Sequence, residues 1–309
     1  MHAAQVQSWS EGPRYVTVDD LPAPSDNQIR LRVLAAGAHQ VVRSRATGVH
    51  YSASELPHTV GLDCVAKDES TGKLYYCFAL RGGTFVEYIN FDKSLAYPIP
   101  DNVDPTSFAA SVNPAMSSWM AINYRTTNLP KDFTIVIIGA TSASGRLAVY
   151  SAKALGAGKV IGVGRNAESL EKVDGLDDYV VLNDPIAKTD FSKVKGCDVI
   201  IDYVFGDATV QLLTSLARAK NPVQYVEIGS LAKSTAEIPS SILRSFDLTI
   251  RGSGPGAWSM SVLGKGLQTL IPAMASWKLA SAHPMPLKDI EKGWNDASLA
   301  NEGRLVFVP

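Results

Sequence analysis

The chain reads as an α/β protein of two domains, a mainly β N-terminal part followed by a doubly wound parallel sheet. Three observations predict this. At 309 residues it exceeds one typical hydrophobic core. Short strand-like runs with turn-forming spacers fill the first part, whereas from about residue 114 apolar runs alternate with helical patterns. The stretch "IVIIGATSASGRLAVYSAKALGA", residues 135–157, passes from a buried strand through a glycine turn into an amphipathic helix.

Taken in order, residues 29–34, 74–78 and 84–89 have strand character, and "PAPSDN", "DESTGK" and "LRGG" supply the turns between them. A helix-like "AMSSWMAINYR" then leads to apolar runs at 134–139, 159–164, 179–183, 197–202 and 223–229. Helical patterns at 144–156 and 207–219 separate several of these runs, and 248–252 offers a final strand. The tail, "PLKDIEKGWNDASLANEGRLVFVP", has the pattern of a helix and then a strand. The expected domains are 1–113, completed by 276–309, and 114–275.

Composition narrows the function classes. With 46% hydrophobic residues, 19% charged residues and a net charge of -1, the chain lacks the basic excess that nucleic-acid binding favours. The N-terminus has no charged leader followed by an apolar run, and no stretch reaches the roughly 18 apolar residues of a membrane span, so a cytoplasmic protein is expected. Cys64, Cys77 and Cys197 form an odd, sparse set with no close pair in sequence, which supports neither a disulfide framework nor a cysteine zinc cage. Buried, reduced thiols are expected.

The glycine turn carries the first functional expectation. A phosphate-binding crossover needs backbone N–H groups at a helix start facing a pyrophosphate, and a glycine that lets helix and strand pack closely. Gly139 opens the turn, Gly145 supplies close packing, and Ala140 and Ser142 stand at the two earlier glycine positions of G-x-G-x-x-G. The cradle is therefore Gly139, Ala140, Thr141, Ser142, Ala143, Ser144 and Gly145. By itself so degenerate a motif also fits a structural turn. About 20 residues on, where an acid would read the ribose of NAD, the sequence has "VIGVGRN". Arg165, with Asn166 beside it, stands where the 2′-phosphate of NADP would lie, so NADP(H) is the expected cofactor.

The segments "GATSASGRLAVYSAKALGAGKVIGVGRN", "VNPAMSSWMAI", "SRATGVHYSASELPHTVGLD" and "GRLVFVP" resemble the medium-chain dehydrogenase/reductases, and most closely their zinc-independent quinone oxidoreductases. The resemblance spans nearly the whole chain. It implies a GroES-like β-rich catalytic domain, completed by the C-terminal tail, and a Rossmann domain, with the active site in the cleft. It places Met116 and Ser117 near the nicotinamide, Gly229 and Ser230 at the cleft, and Tyr203 and Val204 along the cofactor edge. It also implies a homodimer through the last Rossmann strand.

Zinc-dependent members use a Cys, a G-H-E motif and a later Cys. Here "GLD" puts Leu62 in the His position, "GAHQ" puts His39 near the Cys position, and a cysteine-rich lobe is absent. Catalytic zinc needs three protein ligands, and His39 with Asp63 makes at most two, so no metal is expected.

Without a Lewis acid, hydride addition to a quinone or an α,β-unsaturated carbonyl is favoured over carbonyl reduction, because alignment and a few hydrogen-bond donors suffice. The resemblance further implies two roles: His39 falls where relatives carry a polar pocket residue and is a candidate donor to the acceptor carbonyl, and Tyr51 lies within a residue of the proton-donating Tyr of related enoyl reductases and is a candidate proton donor, with His50 competing and water as the alternative. Tyr150 and Lys153 mimic a Tyr-Lys catalytic pair, but their Y-x-x-K spacing assigns them to a helix surface. The resulting expectation is an NADPH-dependent quinone or enone reductase. A non-catalytic NADPH-binding protein and an enoyl reductase acting on carrier-bound polyketide chains are the alternatives.

Overall fold

The computed structural model describes the whole chain apart from residues 51, 52, 54, 80, 102, 297 and 300–302. It divides into two units, Met1–Asn113 with Ile271–Pro309, and Pro114–Leu270.

In the first unit, Arg14–Thr17, His2–Val6 and His58–Thr59 make a small antiparallel sheet. A larger sheet runs in the order Ala282–Pro286, Arg304–Val308, Gln28–Gly37, Asp63–Lys67, Leu74–Phe78 and Ala96–Pro98, with Tyr88–Asp92 also pairing against Gln28–Gly37. The chain's last strand lies antiparallel to Gln28–Gly37, with Phe307 opposite Ala36 and Val306 opposite Gly37. Its apolar "LVF" is buried, and Phe307 packs on Phe85 with ring centroids 5.2 Å apart.

One local expectation changes. The ladder expected at 84–89 forms later, at Tyr88–Asp92. Phe85 instead exchanges backbone bonds with Val60 and Ala4, joining segments on which no local periodicity bears. Ala282–Pro286 adds a strand at the end of the sheet order, where an unpaired side tolerates its prolines. Cys64 and Cys77, far apart in sequence, are directly opposed across antiparallel strands. All three cysteines are free and buried.

The second unit is one parallel sheet of six strands. Its order is Asp178–Val181, Lys159–Gly164, Thr134–Ile138, Val199–Asp202, Val223–Glu227, Leu248–Gly252. Numbered along the chain within this unit, that is 3-2-1-4-5-6, the doubly wound order. The central strands Thr134–Ile138, Lys159–Gly164 and Val199–Asp202 are near-continuous apolar runs because both of their faces are covered. Ile135 and Ile137 point into one core with Ala148 and Ala152 of the helix Ala143–Ala154. Val136 and Ile138 point into the other with Leu212 and Leu213 of Asp207–Ser215. The order reverses between Thr134–Ile138 and Val199–Asp202, and the carboxyl ends of those two strands mark the switch point where such sheets bind ligands.

Candidate nucleotide cradle and a buried polar cluster

The turn after Thr134–Ile138 is built for close backbone approach. Gly139 has a φ of 89°, a left-handed value that glycine adopts without strain, and a Cβ there would lie 3.0 Å from Val204 Cγ2. At Gly145 a Cβ would lie 2.2 Å from the Gly139 carbonyl oxygen and 2.7 Å from Ala140 Cα, so no side chain fits between helix and turn. Ser142 is the N-cap of Ala143–Ala154, its Oγ accepting from the Gly145 N–H at 3.0 Å. A helix start leaves its other first-turn N–H groups for an anion. Ala140 is buried, and its methyl is 3.0 Å from where a Cβ at Gly162 would sit, so the next strand supplies a glycine to make room for it. A cradle that glycine alone can keep open, facing the switch point, fits a dinucleotide pyrophosphate.

At the end of Lys159–Gly164, Arg165 is exposed. Asn166 caps the helix Ala167–Glu171, with Oδ1 accepting from the Ser169 N–H at 2.8 Å.

Across the switch point the organising residue is Asp202, which the sequence marks only as a strand end. Fully buried, it accepts from the Val204 and Phe205 N–H groups at 2.7 and 3.0 Å, and from the Thr209 and Tyr225 hydroxyls at 2.5 and 2.8 Å. Two backbone bonds from one carboxylate shape the turn holding Tyr203 and Val204, where Phe205 and Gly206 both have positive φ. Burial, and then the Asp202 charge, raise the Tyr225 phenol above its ordinary range. Glu227, opposite Asp202 on the next strand, is likewise held above the usual carboxylate value by burial and then by that charge.

Tyr203 is buried, with its hydroxyl 3.1 Å from Ser117 Oγ, and burial pushes its pKa up to about 12. Ser117 also donates to the Pro114 carbonyl at 2.6 Å, and Met116 is buried beside it on the helix Pro105–Arg125. Gly229 runs alongside, its N–H bonded to the Asp202 carbonyl, and Ser230 after it is exposed. The structure therefore brings Ser117, Tyr203, Val204 and Gly229 together with the turn. Tyr150 and Lys153 lie on Ala143–Ala154, the tyrosine donating to Asp174 at 2.9 Å and the lysine pairing with Asp177 at 2.5 Å.

In the first unit, His39 is 2% exposed and sits in a polar cluster. Its Nδ1 is 2.7 Å from Arg304 Nη1, and its Nε2 is 3.3 Å from Asp63. A guanidinium only donates, so Nδ1 accepts and the ring proton is on Nε2, facing the carboxylate. Tyr76 donates to the same Asp63 oxygen at 2.9 Å, and Asp63 is fully buried. Burial, then Asp63, raise the Tyr76 phenol well above its ordinary value. Burial pulls Arg304 below the usual arginine value, and Asp63 opposes this. The imidazole folds back over its own chain, so a Cβ at Gly37 would lie 2.4 Å from the ring. Both His39 nitrogens are thus engaged, and donation to a substrate would require Nε2 to leave Asp63. His50 is lowered from its ordinary value by burial and then by Arg45. Tyr51 lies outside the described residues. Among those described, no group of three or more His, Cys, Asp or Glu side chains is arranged to hold a metal ion.

A parallel sheet in this order, with a glycine-gated turn at its switch point, defines a dinucleotide-binding α/β protein. Comparison with known proteins carries the assignment further. The chain is 34% identical to a probable NADPH-dependent quinone reductase of Emericella nidulans, over an alignment that covers all of both chains. It is 28% identical to the quinone oxidoreductase of Sus scrofa, over 68% of this chain and 67% of that protein. The chain belongs to the medium-chain dehydrogenase/reductase superfamily, in its quinone oxidoreductase-like branch. No family model matches it. The solved quinone oxidoreductase of Thermus thermophilus, also studied as its NADPH complex, superposes over the full length of both chains with a TM-score of 0.78 at 20% identity. That likeness shows the fold, a GroES-like domain joined to a Rossmann domain.

Proposed function

We propose that the protein is an NADPH-dependent oxidoreductase that delivers hydride to a quinone or an α,β-unsaturated carbonyl without a metal. The observation that carries this reading is the switch-point cradle followed, at the end of the second strand, by Arg165 in place of an acid. Relatives named as quinone reductases support it.

When bound, NADPH supplies the hydride. The turn 139–145 would hold the pyrophosphate on backbone N–H groups, and Arg165 would pair with the 2′-phosphate. Tyr203, Val204, Gly229, Ser230, Met116 and Ser117 would line the nicotinamide end. An acceptor that takes a hydride develops negative charge on its oxygen, which donors stabilise before a proton arrives. His39, buried and engaged at both nitrogens, suits a positioning role linking Asp63 to Arg304 better than free donation. That leaves Tyr51, His50 or water to deliver the proton. The Arg304 contact also opposes metal ligation by His39, since the lone pair a metal needs already accepts a hydrogen bond.

A homodimer through the strand Leu248–Gly252 is part of this reading, because that strand ends the sheet order and carries the exposed Ile250. So is a cytoplasmic location. Among the described residues no helix is long and apolar enough to cross a membrane.

The test is oxidation of NADPH by the purified protein with a panel of quinones and enones, with and without chelator. Turnover that survives chelation is expected. Tight NADPH binding with no turnover across the panel would leave a binding role instead. Arg165→Ala should narrow the preference for NADPH over NADH by roughly tenfold to a hundredfold, the value of one charge-assisted hydrogen bond. An unchanged ratio removes Arg165 from the cofactor site.

A further inference from the structure

One cation of the second unit has no part in the site as described so far. Arg146, in the first turn of Ala143–Ala154, does not extend into solvent but folds back along the glycine turn. Its Nε donates to the Thr141 carbonyl at 3.1 Å and its Nη1 to the Lys172 carbonyl at 3.2 Å. Lys172 is the C-cap of Ala167–Glu171, the short helix that begins right after Arg165 and Asn166. One guanidinium therefore ties the turn to the C-terminal end of the short helix whose first turn follows Arg165. The turn and the strand end before Arg165 are already neighbours, since a Cβ at Gly164 would lie 3.5 Å from Thr141 Cγ2.

Two consequences follow. A carbonyl in a turn that receives anions is a repulsive group, and Arg146 covers the one at Thr141. The two bonds use only two of the five guanidinium donors, and among the described residues neither Arg146 nor Arg165 forms an ion pair. The nearby acid Glu168 is paired with Lys172 at 2.6 Å. We propose that Arg146 is a second determinant of NADP specificity, positioning the short helix that follows Arg165 against the turn and adding a second positive charge at the 2′-phosphate. This rests on the NADPH reading and deepens it.

The test is calorimetric binding of NADPH and NADH to the full-length protein without acceptor, comparing wild type, Arg146→Met and Arg146→Lys. Arg146→Met should weaken NADPH roughly tenfold and NADH no more than about twofold, and Arg146→Lys, which keeps the charge, should recover much of the difference. Equal weakening of both cofactors would make Arg146 a structural brace only and overturn the proposal. So would an unchanged preference in a folded Arg146→Met protein. If Arg146→Met does not fold, Arg146→Lys decides alone, because loss of the bidentate tie should still reduce the preference for NADPH. Wild type that binds neither cofactor, or both equally, would instead defeat the underlying NADPH reading.

Discussion

Gly145→Ala tests the cradle most directly. A methyl group there would start 2.2 Å from the Gly139 carbonyl oxygen and 2.7 Å from Ala140 Cα, both backbone atoms that no side-chain rotation can move. Restoring an ordinary contact of 3.4 Å requires the turn and the helix start to separate by 3.4 minus 2.2, about 1.2 Å. Overpacking of this kind costs about 1–3 kcal/mol. The larger consequence is for binding, because moving backbone N–H groups by ~1 Å takes hydrogen bonds of about 2.9 Å beyond hydrogen-bonding range. Calorimetry should therefore show NADPH affinity falling far more than the urea midpoint does. Gly254→Ala is the control, since its Cβ would meet nothing within 4 Å. An NADPH affinity for Gly145→Ala equal to that of wild type would refute the argument that helix, turn and pyrophosphate share one close-packed spot.

Asp202→Ala strands two backbone N–H groups and two hydroxyls that now donate to it. At 1–3 kcal/mol for an orphaned donor, it should lower unfolding free energy by at least about 3 kcal/mol, with Asp202→Asn milder because the hydroxyls can reorient; equal effects would mean the charge, not the bonding pattern, matters. His39→Ala should lower turnover by more than it lowers NADPH affinity, as a positioning residue of the first unit should, and the opposite pattern would remove it from the reaction. Burial, helped by Asp198, pushes the Cys197 thiol up to about 12 from 9.0. The unfolded chain then loses this proton at lower pH than the native one, so the stability it contributes is present below pH 9 and is lost as pH rises towards 12. Cys197→Ala should flatten the fall of unfolding free energy over that window by about 1.4 kcal/mol per pH unit, and an unaltered slope would assign alkaline unfolding elsewhere.

The Rossmann half was largely legible because its signals are local. A strand buried on both faces is a near-continuous apolar run, and the turn lies between strand and helix within a dozen residues, so 134–138 and 159–164 appear in the sequence where they appear in space. The β-rich half was legible in kind but not in detail. Ala282–Pro286 is a strand only because an edge tolerates its prolines, and the Cys64–Cys77 juxtaposition depends on antiparallel register.

For the candidate site the division follows the same physics. Composition, alternation of apolar runs and the spacing from Gly139 to Arg165 are properties of neighbouring residues, and they were enough to indicate the class of fold and the kind of ligand. Partnerships between residues far apart in the chain were not readable, because a buried polar group takes whichever complementary group the fold carries to it. Tertiary structure alone set the engagement of His39 by Asp63 and Arg304, the four donors converging on Asp202, and the reach of Arg146 from the glycine turn to Lys172.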